Sequence, residues 1–213
     1  MNDMLNKLHF LNYKMFTESV KYKFLKPGKQ HKMNIFDVDD TLVVTDSKIK
    51  VTDNKTGEIL ELTPQDFNEY ERRSSHKLDF SDFQNPEILK AGKIIEWVFD
   101  ILKSTLKREK AVGIITARDD RDLIYNFLLS HGVKIHKDFI FAVSDPKEFD
   151  ISKPIAENKK EAFRRLMELG FTDFNFFDDD KENLRLAKSL EEEYPDIKIR
   201  TKHIKQKWIP RRD

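Results

Sequence analysis

Short apolar runs alternate with helically spaced apolar positions through most of the chain, and this rhythm predicts its elements. An apolar run ends at Phe36 and gives way to carboxylates, as at the end of a buried strand. From residue 92, Ile94, Ile95, Val98, Ile101, Leu102 and Leu106 recur at the spacing of one helix face, and residues 111–115 read as a strand. A helix over 119–130 ended by His131-Gly132, a strand over 139–143, a helix over 155–169 closed by Gly170 and a strand over 174–177 follow. A helix over 181–193 and a strand over 197–201 complete the series. Strands alternating with helices predict an α/β fold with a Rossmann-like, mostly parallel sheet covered by helices on both faces.

Two stretches depart from the rhythm. Residues 1–26 carry Met4, Leu5, Leu8, Leu11, Met15, Phe16 and Val20 at helical spacing before Pro27-Gly28, so residues 1–30 are expected to form an appended helical arm. Residues 43–90 separate the first strand from its helix. Within them, 47–51 and 58–62 alternate around a turn containing Gly57, which predicts a β-hairpin; a polar stretch with Phe67, Tyr70, Phe80 and Phe83 follows. An insertion of this length is usually functional. It is expected to be a small cap within one domain spanning 31–213.

Composition narrows the function classes. The 213 residues suffice for one substantial domain with an insertion. Lys plus Arg number 39 and Asp plus Glu 38, so a net charge of +1 creates no global field for polyanions or acidic membranes; any nucleic-acid contact needs a local patch. Cysteine is absent, which excludes disulfides, thiolate metal sites and a cysteine nucleophile and leaves oxygen or imidazole as metal ligands. No apolar stretch approaches the roughly 20 residues of a membrane span, and no signal-peptide core is apparent, so a cytoplasmic protein is expected.

The candidate chemistry lies at the strand ends. Asp37 and Asp39 are two positions apart and project the same way from an extended backbone. If the chain curls after Asp37, both point into the crevice beyond the strand's carboxyl end, where open α/β sheets bind ligands. Such a pair suits a divalent cation and a phosphate: one carboxylate as nucleophile and metal ligand, the other as proton shuttle. An acidic turn is the alternative explanation. However, a second strand ends in Thr116-Ala-Arg118 and another in Asp178-Asp179-Asp180, and in a parallel sheet all these ends share one edge. The acidic run also suits a helix start, with Asp180 as the cap. The six His show no metal-ligand spacing, and no Ser sits in a nucleophile-elbow context.

Over residues 33 to 200 the chain resembles the haloacid dehalogenase (HAD) superfamily of phosphohydrolases. Phe36-Asp37-Val38-Asp39-Asp40-Thr41-Leu42 resembles its first motif, Ile114-Ile115-Thr116 its second, and Phe176-Phe177-Asp178-Asp179-Asp180-Lys-Glu-Asn183 its acidic fourth. The resemblance implies that Asp37 attacks phosphorus to form an aspartyl-phosphate and that Asp39 protonates the leaving oxygen and then activates water. It implies Mg²⁺ as cofactor, with Asp37, Asp39, Asp178 and Asp179 as metal residues and Asp179 foremost; Asp178 replaces a frequent Gly and Asn183 a commoner Asp. Thr116 and a lysine would hold the phosphoryl oxygens. Lys159 is the first candidate, 19 residues before Asp178, followed by Lys153, with Lys160 adjoining.

Thr41 and Arg118 are further expected substrate contacts, although Arg118 is equally suited to pair with Asp119 or Asp122. The expected partner is a phosphorylated substrate. Thr116-Ala-Arg118 and the Lys159 spacing are similar to the phosphatase domain of phage-type polynucleotide kinase-phosphatases, and the Arg72-Arg73 and His76-Lys77 cluster and the basic tail with Trp208 could bind phosphates and stack a base. These lean the expectation toward a nucleotide or nucleic-acid end. A small-metabolite phosphatase and a catalytically silent binding protein of the same fold are the alternatives.

Overall fold

A computed structural model describes residues 31–68 and 70–205. The expected arm and the tail beyond residue 205 lie outside the described residues. The main sheet has five strands: β1 His31–Phe36, β7 Ala111–Thr116, β8 Ile140–Ala142, β9 Phe171–Asp178 and β10 Lys198–His203. Their order is β10-β9-β1-β7-β8, and every pairing is parallel. β1 is therefore the central strand, which is why Met33, Ile35 and Phe36 are all fully buried.

Alternation along the strands separates two apolar layers. Met33, Ile35, Ile115, Phe174 and Phe176 pack with Phe163 and Leu166 of α5 (Ile155–Glu168) and with Leu184 and Ala187 of α6 (Lys181–Lys188). On the opposite face Phe36, Val112, Ile114 and Phe177 meet Val98, Phe99 and Leu102 of α3 (Glu96–Lys107) and Ile124, Phe127 and Leu128 of α4 (Arg121–Ser130). Helices thus cover both faces, as the sequence rhythm predicts. The polar Asn34 in the central strand is satisfied by hydrogen bonds with Thr105 at 2.8 Å and Asn175 at 2.6 Å. No helix among the described residues is long and apolar enough to cross a membrane.

The inserted segment leaves and rejoins the main body through a narrow stem. Val43–Val44 (β2) pairs antiparallel with Lys93–Ile94 (β6), so Ile94, the first position of the expected helix face, lies in a strand and the helix starts at Glu96. Beyond the stem, the expected hairpin is present as Ile49–Asp53 (β3) and Ile59–Leu62 (β4), and a further strand, His76–Asp79 (β5), pairs along the other side of β3. β5 alternates half-buried with exposed residues and includes His, Lys and Asp, so it carries little apolar signal. Two short helices, α1 Pro64–Asn68 and α2 Pro86–Ala91, and a 3₁₀ turn at Ser81–Gln84 complete the insertion. Ile49, Val51 and Leu62 form its small core with Phe67, Tyr70, Leu78 and Phe83 around them. The helix expected over 181–193 breaks at Ser189 into α6 and α7 (Leu190–Glu193).

Gly92 makes the stem possible. A Cβ there would lie 2.6 Å from Val43 Cγ2 and 3.0 Å from the Val44 carbonyl oxygen, so any side chain pushes the two stem strands apart. Gly92→Ala should therefore lower the unfolding free energy by about 1–3 kcal/mol, the usual range for overpacking. Denaturant melts would measure it; an unchanged midpoint would show that the stem opens without cost.

Candidate active site

The sheet register brings the acidic residues together. Phe36 is aligned with Phe177 on one side and Ile114 on the other, so the next residue, Asp37, emerges beside Asp178, with Thr116 just beyond on the far side. The Asp37 amide still bonds the Phe177 carbonyl at 3.0 Å, and then the chain curls: Leu42 N and Val43 N both return to the Val38 carbonyl, at 2.8 and 3.0 Å. Asp40 sits in this curl at φ 56°, a left-handed conformation that Asp tolerates better than most residues. The chain thus curls just after Asp37, as the reading of two carboxylates at this strand end requires.

Lys159 closes the arrangement. Its helix starts against the end of β8, where Asn158 Nδ2 donates to the Val143 carbonyl at 3.2 Å and to the Asp150 carbonyl at 2.9 Å. Lys159 Nζ then donates to Asp37 Oδ1 at 2.7 Å and to Asp178 Oδ2 at 2.8 Å, with all three residues buried. Of the other lysine candidates, Lys153 is exposed, and Lys160 Nζ pairs with Glu193 at 2.5 Å.

Asp37, Asp178 and Asp179 present carboxylate oxygens that all lie within 4.8 Å of one another. Two charges at that separation repel by roughly 3 kcal/mol at an effective dielectric constant of about 20. Asp178 is satisfied by the protein: besides Lys159, the Asp180 amide donates to it at 2.8 Å and Asn183 Nδ2 at 3.1 and 3.2 Å. The departure to Asn183 thus supplies a donor where an Asp would add another charge. Asp37 and Asp179 lack comparable support. Burial pushes the Asp37 carboxyl up to about 8 from 3.8, opposed by Lys159 and reinforced by Asp178. Burial, followed by Asp37 and Asp178, pushes Asp179 up to about 9. For Lys159, burial favours the neutral amine, but Asp178 and Asp37 outweigh it and hold the ammonium form.

Once ionised, the three carboxylates exceed the one ammonium by two negative charges, and all the donors are hard oxygens. That set fits a divalent cation such as Mg²⁺. The Asp39 carboxylate lies outside this group. It accepts from Arg118 Nε and Nη2, both at 2.8 Å. Arg118 thus pairs with neither Asp119 nor Asp122, which accept instead from Gln84 at 2.5 Å and from Lys137 at 2.6 Å. Thr116 is buried, with its Oγ1 accepting from the Arg118 amide at 3.3 Å. Thr41 is also buried, and its Oγ1 has no hydrogen-bond partner among the described residues.

His203 was not singled out by its sequence. It ends β10 in register with Asp178, and its Nε2 lies 2.8 Å from the Asp179 carbonyl, so it joins the acidic run to the edge strand. It lies two residues past the strand expected over 197–201, and the carboxyl-end position of that strand is the signal that could have found it.

No protein-family description matches the chain, and neither does any curated protein. Among solved structures, the class C acid phosphatase from Bacillus anthracis is similar at 15% identity and a TM-score of 0.45, over 92% of this chain and 76% of that one. Identity that low carries no residue from one site to the other.

The raised carboxyl groups give stability a definite pH dependence. Above pH 3.8 the unfolded chain releases protons that folded Asp37 and Asp179 keep until about pH 8 and 9. Their contribution is complete below 3.8 and is lost as pH rises through the folded values. Metal-free protein should therefore lose Tm between pH 5 and 9, and Mg²⁺ should raise Tm more at pH 9 than at pH 5. Thermal melts in chelator and in Mg²⁺ would test this. A Tm gain from Mg²⁺ that shrinks as pH rises would contradict the assigned burial.

Proposed function

We propose that the protein is a divalent-metal-dependent phosphomonoesterase that works through an aspartyl-phosphate on Asp37. The observation that carries this reading is Lys159 bonded to both Asp37 and Asp178 beside Asp179, at the carboxyl edge of a parallel sheet. A carboxylate group able to hold a divalent cation, with a buried ammonium in it and a further carboxylate two residues from Asp37, suits displacement at phosphorus better than other acid–base chemistry.

In this reading Asp37 Oδ attacks phosphorus, the ester P–O bond breaks, and Asp39 delivers a proton to the departing oxygen. Asp39 next takes a proton from water as that water attacks the phosphorus of the aspartyl-phosphate, releasing inorganic phosphate and restoring Asp37. Asp37, Asp178 and Asp179 would hold a divalent cation such as Mg²⁺, which would supply the positive charge an anionic nucleophile needs to approach an anionic substrate. Lys159 orients Asp37 and opposes the effect of burial on its carboxyl, and with Thr116 and Thr41 offers donors for the phosphoryl oxygens.

The substrate class we favour is a nucleotide or a polynucleotide end. Supporting it, Lys181, Arg185, Lys188 and His203 line a groove of about 500 Å³, and His203 connects that groove to Asp179. Arg185 is held by Glu182 and Lys188 by Glu191, both at the surface, where such pairs contribute little and exchange readily for a phosphate. Arg72, Arg73 and Lys77 are exposed on the insertion and add positive charge there.

Turnover of p-nitrophenyl phosphate should require Mg²⁺, stop in excess chelator, and fall at least about 10³-fold in Asp37→Asn. An active Asp37→Asn enzyme would exclude it as nucleophile. For the substrate class, Lys181→Glu with Arg185→Glu should reduce kcat/KM on a terminally phosphorylated oligonucleotide while sparing p-nitrophenyl phosphate, and should flatten the salt dependence. A wild-type preference for sugar phosphates would remove the nucleic-acid reading, and silence across the whole panel would favour a binding protein.

A further inference from the structure

We propose that Arg118 is a positioning residue for Asp39, and that through it the docking of the inserted cap sets the geometry of proton transfer. The proposal rests on the reading of Asp39 as the acid–base group. Arg118 stands two residues past Thr116, and its side chain is 1% exposed. Its backbone is fixed at both polar groups: its amide donates to Thr116 Oγ1, and its carbonyl accepts from the Ser144 amide at 3.4 Å.

One edge of the guanidinium grips both oxygens of Asp39 at 2.8 Å, a planar two-point contact that fixes the carboxylate plane as a single bond does not. Each carboxylate oxygen has two acceptor positions, so one on each remains to take or give a proton. The opposite side of the guanidinium belongs to the cap. Nη1 donates to the Phe83 carbonyl, and the guanidinium carbon lies 5.4 Å from the centre of the Phe83 ring.

Phe83 is firmly part of the insertion. It lies in the 3₁₀ turn Ser81–Gln84, whose Asp82 accepts from the Lys48 amide at 3.0 Å and pairs with Lys50 of β3 at 3.8 Å. Its ring packs against Phe80, which meets Phe67 edge-on. The neighbouring Gln84 donates to Asp119 at 2.5 Å, a second link between cap and main body beside the first. A physical chain therefore runs from β3 through Asp82 and Phe83 to Arg118 and Asp39. Every guanidinium donor bonded in it goes to Asp39 or to the cap. If the cap lifts, Arg118 loses the Phe83 carbonyl and ring that hold its far side, and the Asp39 carboxylate loses its fixed plane.

Proton donation matters most for poor leaving groups, so the test is a leaving-group series. With Mg²⁺ present, kcat/KM would be measured for aryl and alkyl phosphates of rising leaving-group pKa in wild type, Arg118→Met, Arg118→Lys and Phe83→Ala. Arg118→Met should lose about 10²-fold or more on alkyl phosphates and less than about tenfold on p-nitrophenyl phosphate, within the usual range for acid–base catalysis. Arg118→Lys should fall between, and Phe83→Ala should show the same trend with smaller size. In an Asp39→Asn background, Arg118→Met should cost less than about threefold more, because residues that act as a unit are not additive.

Equal losses across the series, or full additivity with Asp39→Asn, would overturn the positioning role in favour of direct phosphate contact or general support. A normal leaving-group trend in Phe83→Ala would overturn the link to the cap. Wild-type inactivity on every ester would instead overturn the phosphatase reading, and this proposal with it.

Discussion

The site depends on one buried ammonium. Lys159 is enclosed between carboxylates from two adjacent strands, and without it Asp37 and Asp178 would be unpaired charges in the interior, each far costlier than an exposed one. The fold delivers this contact through register. Parallel pairing of β1 with β9 sets Asp37 beside Asp178, and Asn158 fixes the start of α5 so that the next residue reaches both. The remaining negative excess, on Asp37 and Asp179, is then a property of the arrangement and not of any single residue. Burial holds both carboxyl groups above the usual carboxylate range, Asp37 even with Lys159 bonded to it.

A second ion pair divides the labour between the two carboxylates of the first strand end. Asp37 faces Lys159 in the buried group, whereas Asp39, two residues on and across the curl at Asp40, faces Arg118 at the edge of the insertion. The same octapeptide thus supplies one group tied to the sheet and another tied to the cap. The contact of the insertion with the sheet edge and the hold on Asp39 draw on the donors of one guanidinium.

Much of the main sheet was legible because its strands are uniformly apolar and its helices periodic. The run at 111–115 and the face from Ile94 to Leu106 leave little choice of element. The acidic strand ends were legible for the same reason: carboxylates that directly follow buried runs stand out. What could not be read depends on partners distant in sequence. Arg118 offered Asp119 and Asp122 as near neighbours, yet Asp39, 79 residues away, takes it. β5 escaped notice because a half-buried strand of His, Lys and Asp has no apolar signature, and its identity comes from pairing with β3. Lys159 and Lys160 are adjacent and chemically alike; a helix turns them in different directions, one into the carboxylates and one toward Glu193.

Asp37 as the group that receives phosphate is the central claim. It is tested most directly by mixing Asp39→Asn protein, impaired in the water-activating step, with Mg²⁺ and p-nitrophenyl phosphate, whose leaving group departs with little need of a proton, quenching in acid, and mapping phosphate by peptide mass spectrometry. The account predicts phosphate on the peptide containing Asp37, localised to that residue and absent when Mg²⁺ is withheld. Phosphate on another residue, or release of product with no covalent phosphate at any time point, would contradict it.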